Sequence, residues 1–135
     1  MISIAHRRIM NELRKTHENI CIQIREGNIE LLEVSIHTEI RGVKPKLIID
    51  LSNGYPFEPP KIIFLTHLKH PNIGPRGQIC LDILRRQFWS PSFTILSIIL
   101  SIIEFMNDET TWKYSNTMPE WEKQLLNKKT RYVLP

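Results

Sequence analysis

ICIQIREGNIELLEVSI, residues 20–36, decides the fold. Ile20, Ile22 and Ile24 alternate with Cys21, Gln23 and Arg25, which sends every second side chain to one face of a strand. Glu26-Gly27-Asn28 then turns the chain, and Leu32, Val34 and Ile36 alternate with Glu33, Ser35 and His37. Downstream, a short link around Gly42 leads to Leu47, Ile49 and Leu51, alternating with Lys46, Ile48 and Asp50. Asn53-Gly54 is a further turn signal. A fourth run, Lys61 to Leu65, follows the prolines at 56, 59 and 60. Four short runs joined by short turns favour an antiparallel meander over parallel crossover units. Cys21, inside the first run, is expected to be a small buried apolar residue.

The chain is helical on either side of these runs. Ile2, Ala5, Ile9 and Leu13 recur at helical spacing over residues 2–15, with Ser3 as the expected N-cap. Arg7, Asn11, Arg14 and Lys15 gather on the opposite face, either a solvated surface or a dock for an acidic partner. Thr94 is placed to cap a second helix, with Ile95, Ile98, Ile99 and Ile102 along one stripe. Leu96, Leu100 and Ile103 on its other side make it apolar nearly all round, as for a central helix or one with a binding face. A last short helix is expected from Glu120 to about Thr130. The class is α+β, in a single domain spanning residues 1–135.

Composition excludes several functions. The chain has 135 residues, 41% of them hydrophobic and 24% charged, as in ordinary soluble proteins. Cys21 and Cys80 are its only cysteines, too few for a disulfide scaffold or a zinc site, so no metal or other cofactor is expected. A reducing compartment, cytoplasmic or nuclear, suits a free Cys80. The net charge of +4 lacks the aromatic interleaving that nucleic-acid binding requires. The most apolar stretch, Phe93 to Met106, contains Glu104 and is too short to span a bilayer. No partner membrane is expected, and the protein is read as a soluble monomer.

The chemistry concentrates in residues 66–93, a stretch without period that contains Pro71, Gly74, Pro75, Gly77 and Pro91. Loops of that length in a small domain are usually functional. It holds His70-Pro71-Asn72 and then Gly77-Gln78-Ile79-Cys80-Leu81-Asp82. A thiol on an accessible loop can be nucleophilic as its thiolate, and the Asn72 amide can stabilise an oxyanion. His70 as a general base would make a cysteine hydrolase. A packed structural thiol is the competing account, and the residues alone leave these open.

Residues 55–101, from Tyr-Pro-Phe-Glu-Pro-Pro-Lys through His-Pro-Asn, Gly-Gln-Ile-Cys-Leu-Asp-Ile-Leu and Trp-Ser-Pro, resemble the core of the ubiquitin-conjugating enzymes. Arg-Arg-Ile-Met-Asn-Glu-Leu near the N-terminus resembles that family's first helix. The resemblance implies the fold just read, with an active-site loop between sheet and central helix. It implies that Cys80 accepts ubiquitin or a ubiquitin-like protein from an activating enzyme as a thioester. Transfer to a lysine amine of a protein substrate, or to a ubiquitin ligase, would follow. By position Asn72 would stabilise the oxyanion or hold the loop, His70 would brace the loop, and Asp82 would orient the amine. Phe57, Pro91 and Ser92 would meet the ligase, with Trp89 packed beneath them. Arg7, Arg8 and Arg14 would meet the activating enzyme, and Leu100 and Glu104 the donor ubiquitin.

Three departures mark a compact, divergent member. Thr38 to Pro45 is shorter than the family's hairpin, and one residue is inserted among Arg85, Arg86, Gln87 and Phe88. Lys113 stands where an aspartate often flanks the cysteine, with Asp108 and Glu109 nearby. The alternative function is a non-catalytic ubiquitin-binding variant or accessory subunit of the same fold.

Overall fold

The computed structural model describes residues 2–15 and 17–108. The helix α1 spans Ile4–Leu13, and the strands are β1 (Ile20–Arg25), β2 (Asn28–Ile36), β3 (Lys46–Asp50) and β4 (Lys61–Phe64). A single 3₁₀ turn, Asp82–Leu84, precedes α2, Ile95–Asn107. The sheet order is β1-β2-β3-β4 and each neighbouring pair is antiparallel, so the meander read from the alternation is the one observed. The expected tail helix, Glu109 and Lys113 lie outside the described residues.

Register follows the apolar alternation. Leu32 pairs with Ile49 and Val34 with Leu47, and all four are fully buried. A one-residue slip would move this set to the opposite face, so burial fixes the pairing. These side chains form one core with Ile9 of α1 and with Ile95, Ile98, Ile99, Ile102 and Met106 of α2. Leu96 and Ile103 are partly buried against that core, while Leu100 keeps 39% of its surface. The second apolar side of α2 is therefore only half used within the described residues.

Two differences from the sequence reading have simple causes. Cys21 is exposed, not buried. It lies on β1, a sheet edge, between Ile20, which is buried, and Ile22, which packs against the core; alternation sends its thiol outward. The link between β2 and β3 is not merely short but is a minimal hairpin. Ile40 and Val43 exchange both backbone hydrogen bonds (2.7 and 3.1 Å) around Arg41 and Gly42, whose φ angles are 52° and 80°. Two consecutive positive φ values make the tight turn that matches strand twist, and glycine takes the second without steric cost.

Both helices begin as their caps dictate. Ser3 Oγ accepts from His6 N (3.1 Å). Thr94 Oγ1 accepts from Ser97 N (3.1 Å) while Ser97 Oγ accepts from Thr94 N (2.8 Å), a reciprocal box. The next amide of α2, Ile95 N, donates to Glu12 of α1 (2.7 Å). A carboxylate at a helix N-terminus answers both the unpaired amides and the helix dipole.

Candidate active site

The segment from His70 to Cys80 is folded back on itself against the end of β4. Phe64 N donates to Gly77 O (2.7 Å), and Gly74 N to Gln78 O (2.8 Å). Gly77 has φ +85°, and a methyl group there would collide with the Phe64 carbonyl oxygen. Only glycine allows the loop to lie this close to the strand.

His70 is buried, with its ring centroid 5.3 Å from that of Phe105. Its Nδ1 accepts from Asn72 N (2.9 Å), so that nitrogen carries no proton. Burial, with the positive charge of Arg41 adding to it, pushes His70 down to about 4 from an ordinary 6.5. The ring is neutral near pH 7 and its Nδ1 lone pair is spent on the loop.

Asn72 binds Cys80 twice. Its carbonyl accepts from Cys80 N (2.7 Å), and its side-chain Nδ2 donates to Cys80 O (3.0 Å). The backbone on both sides of the thiol is thereby held by one residue. Cys80 is itself half-buried. It lines an open cavity of about 700 Å³ whose apolar wall includes Ile63, Leu81 and Leu84. The sulfur is reachable and not sealed in the core. Arg85 Nη2 stands 3.8 Å from its Sγ. This hydrogen bond, ahead of the attraction of Cys80 and Asp82, holds Arg85 above its ordinary value. Asp82 is exposed at the start of the 3₁₀ turn, with Oδ1 3.7 Å from Arg85 Nε.

A brace of polar contacts joins the neighbouring loops. Glu12, only 9% exposed at its side chain, accepts from Arg8 Nε (3.2 Å), Tyr55 Oη (2.6 Å) and Ile95 N (2.7 Å). Arg8 also donates to Phe93 O (2.7 Å) and lies 5.4 Å over the Tyr55 ring. Burial, and then the bond to Glu12, holds the Tyr55 phenol well above its ordinary value, so it stays a donor. Trp89 Nε1 donates to Pro56 O (2.8 Å), and its ring packs on Tyr55 and Phe93. Arg86 grips both oxygens of Glu58 (3.0 and 2.6 Å), which holds Arg86 above its ordinary value. The loop carrying Phe57 and the loop carrying Pro91 are thus tied together, with Trp89 packed between them.

The sequence-predicted residues separate accordingly. Cys80, Asn72 and His70 are brought together by direct bonds, with Asp82 at their margin. Phe57 is 72% exposed, and Pro91 and Ser92 are exposed on the tied loop. Arg7 and Arg14 are exposed on α1, whereas the Arg8 guanidinium is engaged in the brace. Arg8 therefore differs from the expectation of a free basic face, because Glu12 and Phe93 O claim its donors. Leu100 and Glu104 share an outer face of α2 at a spacing of one turn, both exposed. Sequence reading missed Arg85 beside the sulfur, the Glu12 hub and Phe88, which is 54% exposed. The spacing of four to Arg8 is the local signal at Glu12, but nothing local marks its other two donors, Tyr55 Oη and Ile95 N, which come from distant segments.

Two comparisons with known proteins agree with this geometry. A family described as "Ubiquitin-conjugating enzyme" matches residues 7–133. "Probable ubiquitin-conjugating enzyme E2 L460" of Acanthamoeba polyphaga mimivirus is 32% identical, over 88% of each chain.

Proposed function

The chain belongs to the ubiquitin-conjugating enzyme family, and we propose that Cys80 is the atom site on which it carries its modifier. In this reading Cys80 accepts the C-terminal carboxyl of ubiquitin, or of a ubiquitin-like protein, from an activating enzyme. A lysine amine, or a ligase, then takes delivery. The observation that carries the proposal is a reachable sulfur on a backbone clamped from both sides by Asn72.

A thioester leaves its carbonyl electrophilic, so the amine can attack without ATP being handled here. The attacking nitrogen forms the C–N bond, the carbonyl oxygen takes the charge, and the C–S pair returns to Cys80 as the bond breaks. The nearby histidine supports transfer over hydrolysis. A neutral ring whose Nδ1 already accepts from Asn72 N is a loop brace, not a base that would activate water. Asn72 acts first as a clamp, since its Nδ2 already donates to Cys80 O.

The surfaces divide among partners. Phe57, Pro91 and Ser92 face the ligase, Arg7 and Arg14 the activating enzyme, and Leu100 with Glu104 the donor modifier. Arg8 serves this scheme from inside, by fixing α1 to the loop before α2. The working form is a monomer in the cytoplasm or nucleus, where a reducing medium keeps the thiol free.

One gel tests the reading. The protein is incubated with ubiquitin, activating enzyme and ATP and run without reductant. An adduct removed by dithiothreitol is expected, absent in Cys80→Ala and retained in Cys21→Ser. No adduct with ubiquitin or any of a panel of ubiquitin-like proteins overturns it.

A further inference from the structure

We propose that Arg85 is a catalytic residue of this chain, its guanidinium matching the negative charge that Cys80 Sγ bears on attack and on departure. The inference rests on the reading of Cys80 as the thioester carrier. It starts from local geometry. The 3₁₀ turn at Asp82–Leu84 is closed by Leu84 N donating to Leu81 O and Arg85 N donating to Asp82 O, both at 3.0 Å. Three residues per turn place residue 85 over residue 82 and bring its side chain back toward Cys80. One edge of the guanidinium then faces two groups at once, Nη2 at 3.8 Å from Sγ and Nε at 3.7 Å from Asp82 Oδ1. Arg86 does not compete for the sulfur, because Glu58 holds it.

The chemistry needs a fixed cation at this place. In charging, the Cys80 thiolate attacks the carbonyl carbon of the activating enzyme's thioester. A new C–S bond forms, and the old C–S pair leaves on the activating enzyme's sulfur. In discharge, the amine attacks, its proton passes to solvent, and the C–S pair falls back on Cys80 Sγ. Charge is gathered on this sulfur before the first step and after the second. Arg85 stabilises it by a charge-assisted N–H donation, and it transfers no proton itself.

The test uses a neutral alkylating reagent, iodoacetamide, so the readout needs no partner protein. Cys21 is exposed and would also react, so the parent carries Cys21→Ser. At low salt and fixed pH, Arg85→Ala is expected to slow alkylation of Cys80 by about threefold to tenfold. Arg85→Lys should fall between parent and Ala, and Arg85→Glu below Ala. Added salt should compress the series, because the side chain is 48% exposed and screened. The parent alone should also lose rate with salt, a measurement that needs no folded variant. Single-turnover discharge of the thioester to free lysine should follow the same order.

Rates that ignore the charge at position 85, or differences that salt leaves intact, overturn the inference. Charging on Cys80 without the charge-ordered series removes Arg85 and leaves the transferase reading standing. The series without any charging removes the transferase role of both residues.

Discussion

The sheet and the loop that follows it are both ordered, but the loop adds a means that the sheet does not use. Between β2 and β3, backbone groups pair with backbone groups, and Leu32, Val34, Leu47 and Ile49 are left to fill the core. Between His70 and Arg85, backbone bonds such as Gly74 N to Gln78 O and Cys80 N to Asn72 O are joined by bonds from polar side chains. Asn72 N donates to His70 Nδ1, Asn72 Nδ2 to Cys80 O, and Arg85 reaches back to Sγ. A ladder could not do the second job, since it sends alternate side chains to opposite faces and gathers none around a single atom. The difference teaches that this loop keeps its polar groups beside the sulfur because they are also what shapes it. Damage to the sheet should therefore be read in stability, and damage to the loop in geometry and rate.

Substitutions can break or sharpen that contrast. The largest effect is expected of Gly77→Ala, where loop and strand touch. The positive φ and the collision with Phe64 O should cost about 4 kcal/mol, read as a fall in urea midpoint together with loss of thioester formation. If stability fell and charging of the folded fraction did not, loop geometry and sulfur chemistry would be separable. Next comes Leu47→Ala, in the sheet interior, at about 3 kcal/mol. Denaturant melts should show that loss while the folded fraction charges at the parental rate.

His70 ranks third, and its effect depends on pH. The ring is held at about 4 when folded, against 6.5 ordinarily. The unfolded chain therefore binds the extra proton between those values. Stability is complete above about pH 6.5 and is lost as pH falls toward 4, by up to about 3 kcal/mol. In His70→Asn, urea melts from pH 7 to 4 should lack this slope. Asn72→Ala should be smallest in stability, about 1 kcal/mol for the bond to Cys80 O. As a clamp it should slow lysine discharge less than tenfold, short of the hundredfold or more typical of a lost oxyanion donor. A loss of that greater size at unchanged stability would move Asn72 from clamp to oxyanion donor.

Some of this was legible in the residues and some was not. The alternation in 20–36 and the Ser3 and Thr94 caps are local signals, and the strands, order and helix starts follow them. Cys21 is exposed although free cysteine is usually buried, because the alternation that puts Ile20 and Ile22 on the core face puts its thiol on the other. The site divides the same way. His70, Asn72 and Cys80 stand in motifs whose order resembles a family's, so they could be named in advance. Arg85 could not be placed over the sulfur without the 3₁₀ turn. The spacing of four to Glu12 is a local feature of Arg8, but only the fold shows that Phe93 O also claims its guanidinium.

By itself the sequence determined the period of each segment, the meander that follows from short turns, and the family to which its motifs point. These depend on contacts between residues close along the chain or on residue identity alone. Tertiary structure decided which polar groups meet: Tyr55 and Ile95 converging on Glu12, the double clamp on Cys80, and the guanidinium beside its sulfur. The physical reason is that hydrogen bonds and charges act over a few ångströms in space. Neither period nor composition records which distant segments the folded backbone brings within that reach.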